Sequence, residues 1–438
     1  MRVALIDPSF WHEGNLLKLR RIGYFPLTLP HLASLFPPEV SVKLLYEKCQ
    51  EIDTSVFYDL VMFTTMGSSL VRAEELSKEF RSRGVKTMVG GYSVKPYLDR
   101  CLENFDSLVV GDAEGIIGKI LLDLKENRLE RVYENLNPSI EDLPIPRFDL
   151  VHDGIIGDIL PVEATRGCPN CCTFCAVSSQ YHSGFRKRRP DQILRDIKSI
   201  KSDLKKRMIF FTDPNFSADL SFAKEIMRGM REIGIYWLAS VDVRALKDAE
   251  FLRLARDSGC FCLQVGFETL SKKELNGTGK TFAGKEEYAK LIKSCQEYGI
   301  PLAALLMIGF DSDDSRSLRD TAKFLEAHHL PLVVMHPMIP IPTTSFYETL
   351  KTQNRLLSQD PKLADGLHVF FRPRNFSPEG LQNYYWKLNE RLYSIRSILK
   401  RFFFRGVFRN PIPYFILFLT NFFARGLVRK RLPMGMYE

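Results

Sequence analysis

The sequence predicts an α/β protein with two parallel sheets, followed by a helical region. Short apolar runs alternate with amphipathic segments over residues 1–135, and the same alternation resumes near residue 160. Strand–helix alternation of this kind indicates parallel, doubly wound sheets that bind ligands at the carboxyl ends of their strands. After Pro342 the apolar residues recur at helical spacing instead, so the chain is expected to end in helices.

Four segments are expected along the chain. Residues 1–135 form a doubly wound (Rossmann-like) domain, 136–159 a proline-marked linker, 160–345 a second α/β unit and 346–438 a helical region with a basic, apolar tail. Apolar runs of strand length mark the expected strands. In the first domain they are Val3–Ile6, Val42–Tyr46, Leu60–Thr64, Lys86–Gly90 and Ser107–Val110; in the second they are Pro161–Ala164, Met208–Thr212, Tyr236–Ser240, Cys260–Gly266, Leu302–Ile308 and Leu332–His336.

Composition excludes several classes of protein. The apolar content of 45% and charged content of 26% are ordinary for a globular protein. The nine cysteines are an odd number and five of them are dispersed, so a disulfide framework is not expected. Arg2 is followed at once by an apolar strand, so no signal peptide is expected and the cytoplasm is the expected compartment. Nine of the 61 Lys and Arg residues lie in 392–438 with Glu438 as the one acid there, so the excess positive charge belongs to the tail and no nucleic-acid partner is expected.

The run TRGCPNCCTFC carries the strongest functional signal. Cys168, Cys172 and Cys175 are spaced CxxxCxxC, and soft sulfur ligands at such spacing select zinc or an iron–sulfur cluster. A structural zinc site needs four ligands, for which Cys171 or His182 is available, but the chain has no second cysteine knuckle. Three thiolates on a four-iron cluster would instead leave one iron open to a small molecule, and Cys171 would be a bystander.

At this motif the chain resembles the radical S-adenosylmethionine (radical SAM) enzymes, and Phe174 before the last cysteine is typical of them. The resemblance implies a partial (β/α)6 barrel, a 4Fe-4S cluster on the three cysteines, and SAM on the open iron. An electron from a donor such as flavodoxin or ferredoxin would then cleave SAM and release a 5′-deoxyadenosyl radical.

The resemblance also implies SAM contacts at successive strand ends. Asp213 follows one strand and would face the SAM amino group, while Arg244 lies just beyond the next strand. Glu268 closes the run VGFE, where it would face the ribose; Met307 and Gly309 belong to MIGFD, whose backbone would contact adenine. Carboxyl ends of barrel strands are where such folds place their chemistry.

The first domain resembles the cobalamin-binding domain that precedes the radical SAM core in one large subgroup. The resemblance lies in FPLTLPHLASL and in small or hydroxyl residues after the third, fourth and fifth strands, which let a corrin approach the backbone. The implied cobalamin contacts are Thr65, Ser68, Ser69, Leu70, Gly90, Gly91, Gly111 and Glu114. The DxHxxG ligand motif is missing, because Asp7 is followed by His12 five positions on; His12 is read as a loop histidine or substrate contact more readily than as a cobalt ligand. An empty relic of this fold is the alternative for the whole domain.

The carboxyl-terminal tail is apolar and basic. Ile412–Phe423 contains about twelve apolar residues between two groups of arginines, too few to cross a bilayer core, which needs about 20 helical residues. One interpretation is peripheral contact through residues 400–431 with the inner face of a membrane, where the substrate would be lipid-like. The other is a terminal helix packed on the barrel.

The function that these observations favour is cobalamin-dependent methylation of an unactivated carbon on a hydrophobic or lipid-like small molecule. Radical cyclisation, oxidation or C–C bond formation without methyl transfer remains an alternative. A non-enzymatic metal-binding protein at a membrane surface is the alternative from another class. Methylthiolation is disfavoured, because it needs three further amino-terminal cysteines and only Cys49 and Cys101 precede residue 168.

Overall fold

The protein folds into two parallel β-sheets and a carboxyl-terminal helical region. The structure, a computed structural model, describes residues 1–152, 154–181, 184–277 and 284–432. The first sheet has six strands and the second has seven, and every strand pairing in both is parallel. The expected α/β fold class is therefore confirmed.

The first domain alternates strands with helices around a sheet of order β5-β1-β6-β7-β8-β9. Its elements, in chain order, are β1 (Arg2–Asp7), β2 (Trp11–His12), β3 (Asn15–Leu16), β4 (Ile22–Tyr24), α1 (Thr28–Ser34), β5 (Ser41–Tyr46), β6 (Leu60–Thr64), α2 (Ser69–Ser82), β7 (Lys86–Gly90), α3 (Leu98–Asn104), β8 (Ser107–Gly111), α4 (Ile117–Lys125) and β9 (Val132–Asn135). The order reverses at β1, so a switch point lies at the carboxyl edge of this sheet.

The second domain is a partial barrel of order β17-β16-β15-β14-β13-β10-β4. Its elements are β10 (Ile156–Val162), β11 (Thr165–Arg166), α5 (Ala176–Tyr181), β12 (Arg186–Lys187), α6 (Pro190–Ser202), β13 (Met208–Phe211), α7 (Leu220–Ile233), β14 (Tyr236–Val241), α8 (Ala249–Asp257), β15 (Cys260–Glu268), α9 (Lys272–Gly277), α10 (Lys285–Glu297), β16 (Leu302–Ile308), α11 (Ser315–Ala327) and β17 (Leu332–Pro337). Six of its seven strands overlap the six expected ones, although β10 begins at Ile156, inside the expected linker, and shares only two residues with the expected Pro161–Ala164. The seventh strand is β4.

The strand β4 lies within the first segment of the chain but pairs with β10 of the second sheet. One apolar core accordingly runs through both domains, since Leu5, Phe25, Phe148 and Leu160 belong to the same buried cluster. The two sheets are therefore fixed to each other through a shared core as well as through the linker.

The helical region covers an edge and the lower end of the barrel. Its elements are α12 (Ser345–Thr352), α13 (Pro378–Leu392), α14 (Ile395–Phe402) and α15 (Pro411–Arg429). The edge strand β17 is covered by α13, whose following residue Tyr393 donates its hydroxyl to the Val333 carbonyl at 2.5 Å. Leu417 of α15 packs against Leu238 and Ala303 near the amino-terminal ends of their strands. The carboxyl ends of the barrel strands lie at the opposite end.

Candidate cluster and cofactor site

The three predicted cluster ligands lie in the loop that follows β10 and β11, at the carboxyl edge of the second sheet. Cys168 and Cys172 are buried and Cys175 is half-buried, whereas Cys171 is exposed. The backbone N–H of Cys175 donates to the Cys172 carbonyl at 3.1 Å, which forms a turn directly before α5. Burial thus separates the three predicted ligands from Cys171 and supports the prediction that Cys171 is a bystander.

The spacing of the thiols bears on which metal they suit. Among the described residues, no three His, Cys, Asp or Glu side chains converge closely enough to hold one metal ion. All ligands of a single zinc lie about 2 Å from the same atom, whereas a four-iron cluster binds each thiolate to a different iron and so needs them further apart. His182, the alternative fourth zinc ligand, lies outside the described residues.

Hydrogen-bond donors surround the Cys168 sulfur. Burial raises the pKa of the Cys168 thiol, and the backbone N–H of Asn170 and the side chain of Asn215 oppose that rise. The Asn215 Oδ1 accepts from Ser217 Oγ at 2.9 Å, while among the described residues its buried Nδ2 has no partner that meets full hydrogen-bond geometry. The sulfurs of an iron–sulfur cluster held by Cys168 would accept hydrogen bonds from donors placed in this way. The donor set therefore fits a 4Fe-4S cluster.

Asp213 lies beneath the cysteine loop and holds it. Its carboxylate accepts hydrogen bonds from the backbone N–H of Ala164 at 3.1 Å and of Thr165 at 2.5 Å, and from Thr165 Oγ1 at 2.5 Å. Burial raises the pKa of Asp213 to about 7, although these donors lower it. The structure thus gives Asp213 a positioning role for the loop, and its contact with the SAM amino group stays a prediction.

Arg244 lies in a 3-10 helix (Val243–Lys247) that directly follows β14. Its guanidinium binds both carboxylate oxygens of Asp242, at 2.9 and 3.1 Å, and the Asn170 Oδ1 of the cysteine loop at 3.1 Å. Asn170 in turn donates to Asp242 at 3.1 Å. The structure therefore brings Arg244 to the cysteine loop, as its predicted position at the SAM site requires.

The remaining predicted SAM contacts lie at the ends of the neighbouring strands. Glu268 ends β15 with a φ of 59°, and Met307 near the end of β16 is half-buried. Gly309 follows β16, and its N–H donates to Asp313 Oδ2 at 2.8 Å. Phe174 is half-buried against the main core. All of these residues follow or end strands at the carboxyl edge of the sheet, the edge that carries the cysteine loop.

Gly309 offers a test of how tightly this edge is packed. Its φ is 106°, and a Cβ there would lie 2.8 Å from Cζ of the buried Phe371. We expect Gly309→Ala to lower the free energy of unfolding by about 1–3 kcal/mol, because a non-glycine residue is strained at that φ. Urea unfolding of the apoprotein measures it. The matched control is Gly118→Ala in α4, where the new Cβ meets nothing within 4 Å; equal losses in the two variants would contradict the prediction.

The predicted cobalamin contacts line the carboxyl edge of the first sheet. Thr65, Ser68, Ser69 and Leu70 are buried in the turn from β6 into α2. The backbone N–H of Thr65 donates to the Gly90 carbonyl at 3.0 Å. A Cβ on Gly91, where φ is 101°, would lie 2.6 Å from the Thr65 carbonyl oxygen. The small residues therefore bring the β6 and β7 loops together; Gly111 ends β8, the next strand of this edge.

Within the part of the chain that the structure describes, several buried polar atoms near this edge have no hydrogen-bond partner. They are both ring nitrogens of His12, the hydroxyl of Tyr46 at the end of β5 and Oγ of Ser93 after β7. Burying an unpaired polar group costs about 1–3 kcal/mol, so such groups indicate a site that a ligand completes. A corrin, with its ring of amide side chains, would supply both donors and acceptors to them. The residues of the first domain therefore fit cobalamin.

A buried ion network joins the two candidate sites. The Arg166 guanidinium, two positions before Cys168, pairs with Glu163 at 2.7 Å, Glu114 at 2.8 Å and Asp112 at 3.1 Å. Glu114 also binds His31 Nε2 at 2.7 Å. Although burial alone would raise it, the pKa of Glu114 is lowered to about 2 by the His31 hydrogen bond and the Arg166 charge. Glu114, predicted as a cobalamin contact, thus lies between the first sheet and the cysteine loop.

Sequence reasoning missed Arg166, Asp112, Glu163 and His31 as site residues. Each is adjacent to a motif that it did identify: Arg166 and Glu163 precede Cys168, Asp112 precedes Glu114, and His31 lies within FPLTLPHLASL. Charged residues repeated beside both motifs were the available signal. Apart from the local Arg166–Glu163 pair, these residues pair across more than 50 positions, and such pairing could not be read from the sequence.

A partial parallel barrel whose first strand leads into a three-cysteine loop defines the class of protein. Residues 162–325 of the chain match the family model of the radical SAM superfamily. This confirms the family predicted from the cysteine motif, and the class is one of enzymes.

Known relatives share more than this core. The chain is 26% identical to bacteriochlorophyllide d C-12(1)-methyltransferase of Chlorobaculum tepidum, over 92% of this chain and 89% of that protein. It is 22% identical to hopanoid C-2 methylase of Rhodopseudomonas palustris, over 76% of this chain and 66% of that one. The solved structure of the radical SAM methyltransferase TsrM from Kitasatospora setae, with cobalamin and a 4Fe-4S cluster bound, superposes with a TM-score of 0.67 at 16% identity, over 80% of this chain and 78% of that chain. At that identity the superposition shows a shared two-domain fold.

Proposed function

We propose that this protein is a cobalamin-dependent radical SAM methyltransferase that methylates an unactivated carbon of a hydrophobic small molecule. The observation that carries the proposal is the Arg166 network. Its guanidinium, which is largely buried, joins the cysteine loop to Asp112 and Glu114 of the first domain. Such a bridge sets the distance between two cofactor sites. The relatives support the same reaction, since the bacteriochlorophyllide and hopanoid enzymes are methyltransferases.

The chain's own residues hold and orient the reacting groups. Cys168, Cys172 and Cys175 would hold a 4Fe-4S cluster and leave one of its irons open to SAM. Arg244 donates to Asn170 and so fixes the cysteine loop that would hold the cluster. When bound, the cofactors supply one-electron cleavage of SAM to a 5′-deoxyadenosyl radical and a transferable methyl group; the protein supplies placement and exclusion of water.

The first domain would take the corrin at its carboxyl edge. Thr65, Ser68, Ser69 and Gly91 would lie against it, while Tyr46, Ser93 and His12 would donate to or accept from its amides. The C-terminal region closes part of this edge, because the backbone N–H of Ser68 donates to the Ala364 carbonyl at 3.3 Å. Closure on that side would keep water from a reactive substrate carbon.

The substrate class and the electron donor belong to this proposal. Bacteriochlorophyllide and hopanoid are the molecules named for two relatives, and the proposed hydrophobic acceptor rests on them. A flavodoxin or ferredoxin would approach the cysteine loop, where Cys171 is exposed and Cys175 is half-buried. The proposed compartment is the cytoplasm, where such donors and reduced thiols occur.

Anaerobic reconstitution with iron, sulfide and hydroxocobalamin tests the function. We expect purified protein to retain corrin after gel filtration, and to form 5′-deoxyadenosine and S-adenosylhomocysteine when given SAM, reductant and a hydrophobic acceptor. The product should gain the mass of one methyl group. Formation of 5′-deoxyadenosine without methyl gain would replace methylation by another radical reaction, and a colourless, zinc-loaded protein would overturn the enzyme assignment.

A further inference from the structure

The outward face of α15 is a continuous apolar stripe. Ile412, Phe415, Ile416, Leu419, Phe422 and Phe423 recur at helical spacing and are 36–62% exposed. The opposite face of the same helix is buried, through Tyr414, Leu417, Ala424 and Val428. A soluble surface rarely carries so many large apolar side chains in one row, so the stripe is suited to an apolar surrounding.

The stripe continues into the segment before the helix. Phe403 is 91% exposed and Phe408 is 83% exposed, and Ile395 and Leu399 of α14 are half exposed. More than half of the exposed large hydrophobic side chains of the described residues lie within 395–423. We call residues 395–431 the tail surface.

The tail surface is also strongly basic. It contains nine Lys and Arg residues and no Asp or Glu, although the rest of the chain is close to neutral. Arg401 is buried and structural, since it donates to the Leu330 and Pro331 carbonyls and to Asn421. The exposed basic residues flank the stripe on both sides; they are Arg396, Lys400, Arg405, Arg409, Arg429, Lys430 and Arg431. Positive charge beside exposed phenylalanines complements an anionic lipid headgroup layer.

The buried face of α15 limits the ways in which the helix can bind a membrane. Within the described residues this helix is the one long and apolar enough to cross a bilayer by length and composition, but 39% of its apolar window is buried inside the protein. Crossing would break the buried bond between Arg401 and Asn421, 2.7 Å long, and expose Leu417, which seals the lower end of the barrel. The helix is therefore suited to lie parallel to the membrane surface and not to cross the bilayer.

We propose that the tail surface docks the protein on an anionic bilayer, with α15 lying in the interface plane and its apolar stripe in the acyl boundary. Because the tail surface lies at the lower end of the barrel, the carboxyl edge that carries the cysteine loop points away from the bilayer. Docking thus fixes the location of the enzyme and leaves the cofactor face open to the aqueous side. This inference goes beyond the proposed function, and it stands whichever reaction the cluster performs.

Vesicle sedimentation of the reconstituted holoprotein tests the docking. We expect the protein to sediment with phosphatidylcholine vesicles that contain phosphatidylglycerol, and to bind phosphatidylcholine alone at least tenfold more weakly. The triple variant Phe415→Ser, Leu419→Ser, Phe422→Ser should bind the anionic vesicles at least tenfold more weakly, because it removes three apolar side chains that docking would bury in the bilayer. Raising the salt concentration should release the protein as well, since the flanking charges are solvent-exposed.

The control for this experiment is Phe57→Ser, which removes a 59% exposed phenylalanine of the first domain and should leave vesicle binding unchanged. All four side chains are exposed, so iron content and 5′-deoxyadenosine formation should match the wild type in both variants. Equal sedimentation of the triple variant and the wild type would overturn the proposal. A concentration-dependent dimer in light scattering that the triple variant loses would overturn it too, by assigning the stripe to a second copy of the chain.

Discussion

Replacing Cys168, Cys172 or Cys175 by alanine, one at a time, is expected to abolish 5′-deoxyadenosine formation, whereas Cys171→Ala retains it. Each of the three would hold its own iron in the proposed cluster, and we expect no replacement of a lost ligand by Cys171, which is exposed whereas the other three are buried or half-buried. Even changes in groups that only support metal ligands cost about 10–100-fold. Removal of a ligand should therefore cost at least ~100-fold.

The measurements are iron and sulfide content, the visible absorption of the cluster and the yield of 5′-deoxyadenosine after anaerobic reconstitution. Cys171→Ala is a close control, since it removes the same group from the same loop. Undiminished 5′-deoxyadenosine in any of the three ligand variants would contradict the cluster assignment. If Cys171→Ala lost 5′-deoxyadenosine formation and Cys168→Ala retained it, Cys171 would replace Cys168 as a cluster ligand.

Local patterns were sufficient to predict most of the strands. The expected strands Leu60–Thr64, Lys86–Gly90 and Leu302–Ile308 have the observed bounds, because each is a short apolar run buried on both faces of a parallel sheet. The edge strand Val132–Asn135 was missed. It contains Tyr, Glu and Asn, and is held by pairing with β8 rather than by its own composition.

Long-range contacts explain the other differences. Ile22–Tyr24 was not expected as a strand, and it exists because β10 presents an open edge to it. Of the apolar residues that recur at helical spacing after Pro342, those from Leu381 to Leu399 are divided between two helices, α13 and α14. The break falls at Ser394, whose hydroxyl accepts from the N–H of Ser397 and caps the second helix. A serine can lie within a continuous helix or cap the start of a new one, and a helical pattern of apolar residues does not by itself show which of these occurs.

Two interpretations of the tail were open: a terminal helix packed on the barrel, or a segment in contact with a membrane. The tail is a terminal helix packed on the barrel, as one interpretation required, and α15 keeps an apolar outer face. Helical periodicity alone could not separate these outcomes, because Ile412–Phe423 is apolar nearly all round. The contacts that the helix makes with the rest of the protein, such as that of Leu417 with the barrel, distinguish the buried face from the exposed one.

Arg166→Gln is expected to lower the free energy of unfolding at pH 7 by about 3–5 kcal/mol, because it leaves Asp112, Glu114 and Glu163 buried without their shared countercharge. We also expect the methyl product to fall more than 5′-deoxyadenosine does, since the bridge orients one cofactor site against the other. Urea unfolding of the apoprotein and the ratio of the two products measure these effects. The matched control is Arg189→Gln, whose exposed pair with Asp191 should contribute at most about 1 kcal/mol.

The pH dependence of this variant has a definite sign. In the wild type the pKa of Glu114 is lowered to about 2, so its stabilising contribution is complete above its ordinary pKa and is lost only as the pH falls toward 2. Arg166 lowers the pKa of Glu114 and of Glu163, so without it both pKa values should rise and these two carboxylates should bind protons more readily in the folded state. The stability difference between wild type and variant should then be largest at pH 7 and narrow toward pH 5. A difference that stays constant over that range would show that the guanidinium acts by packing rather than by charge.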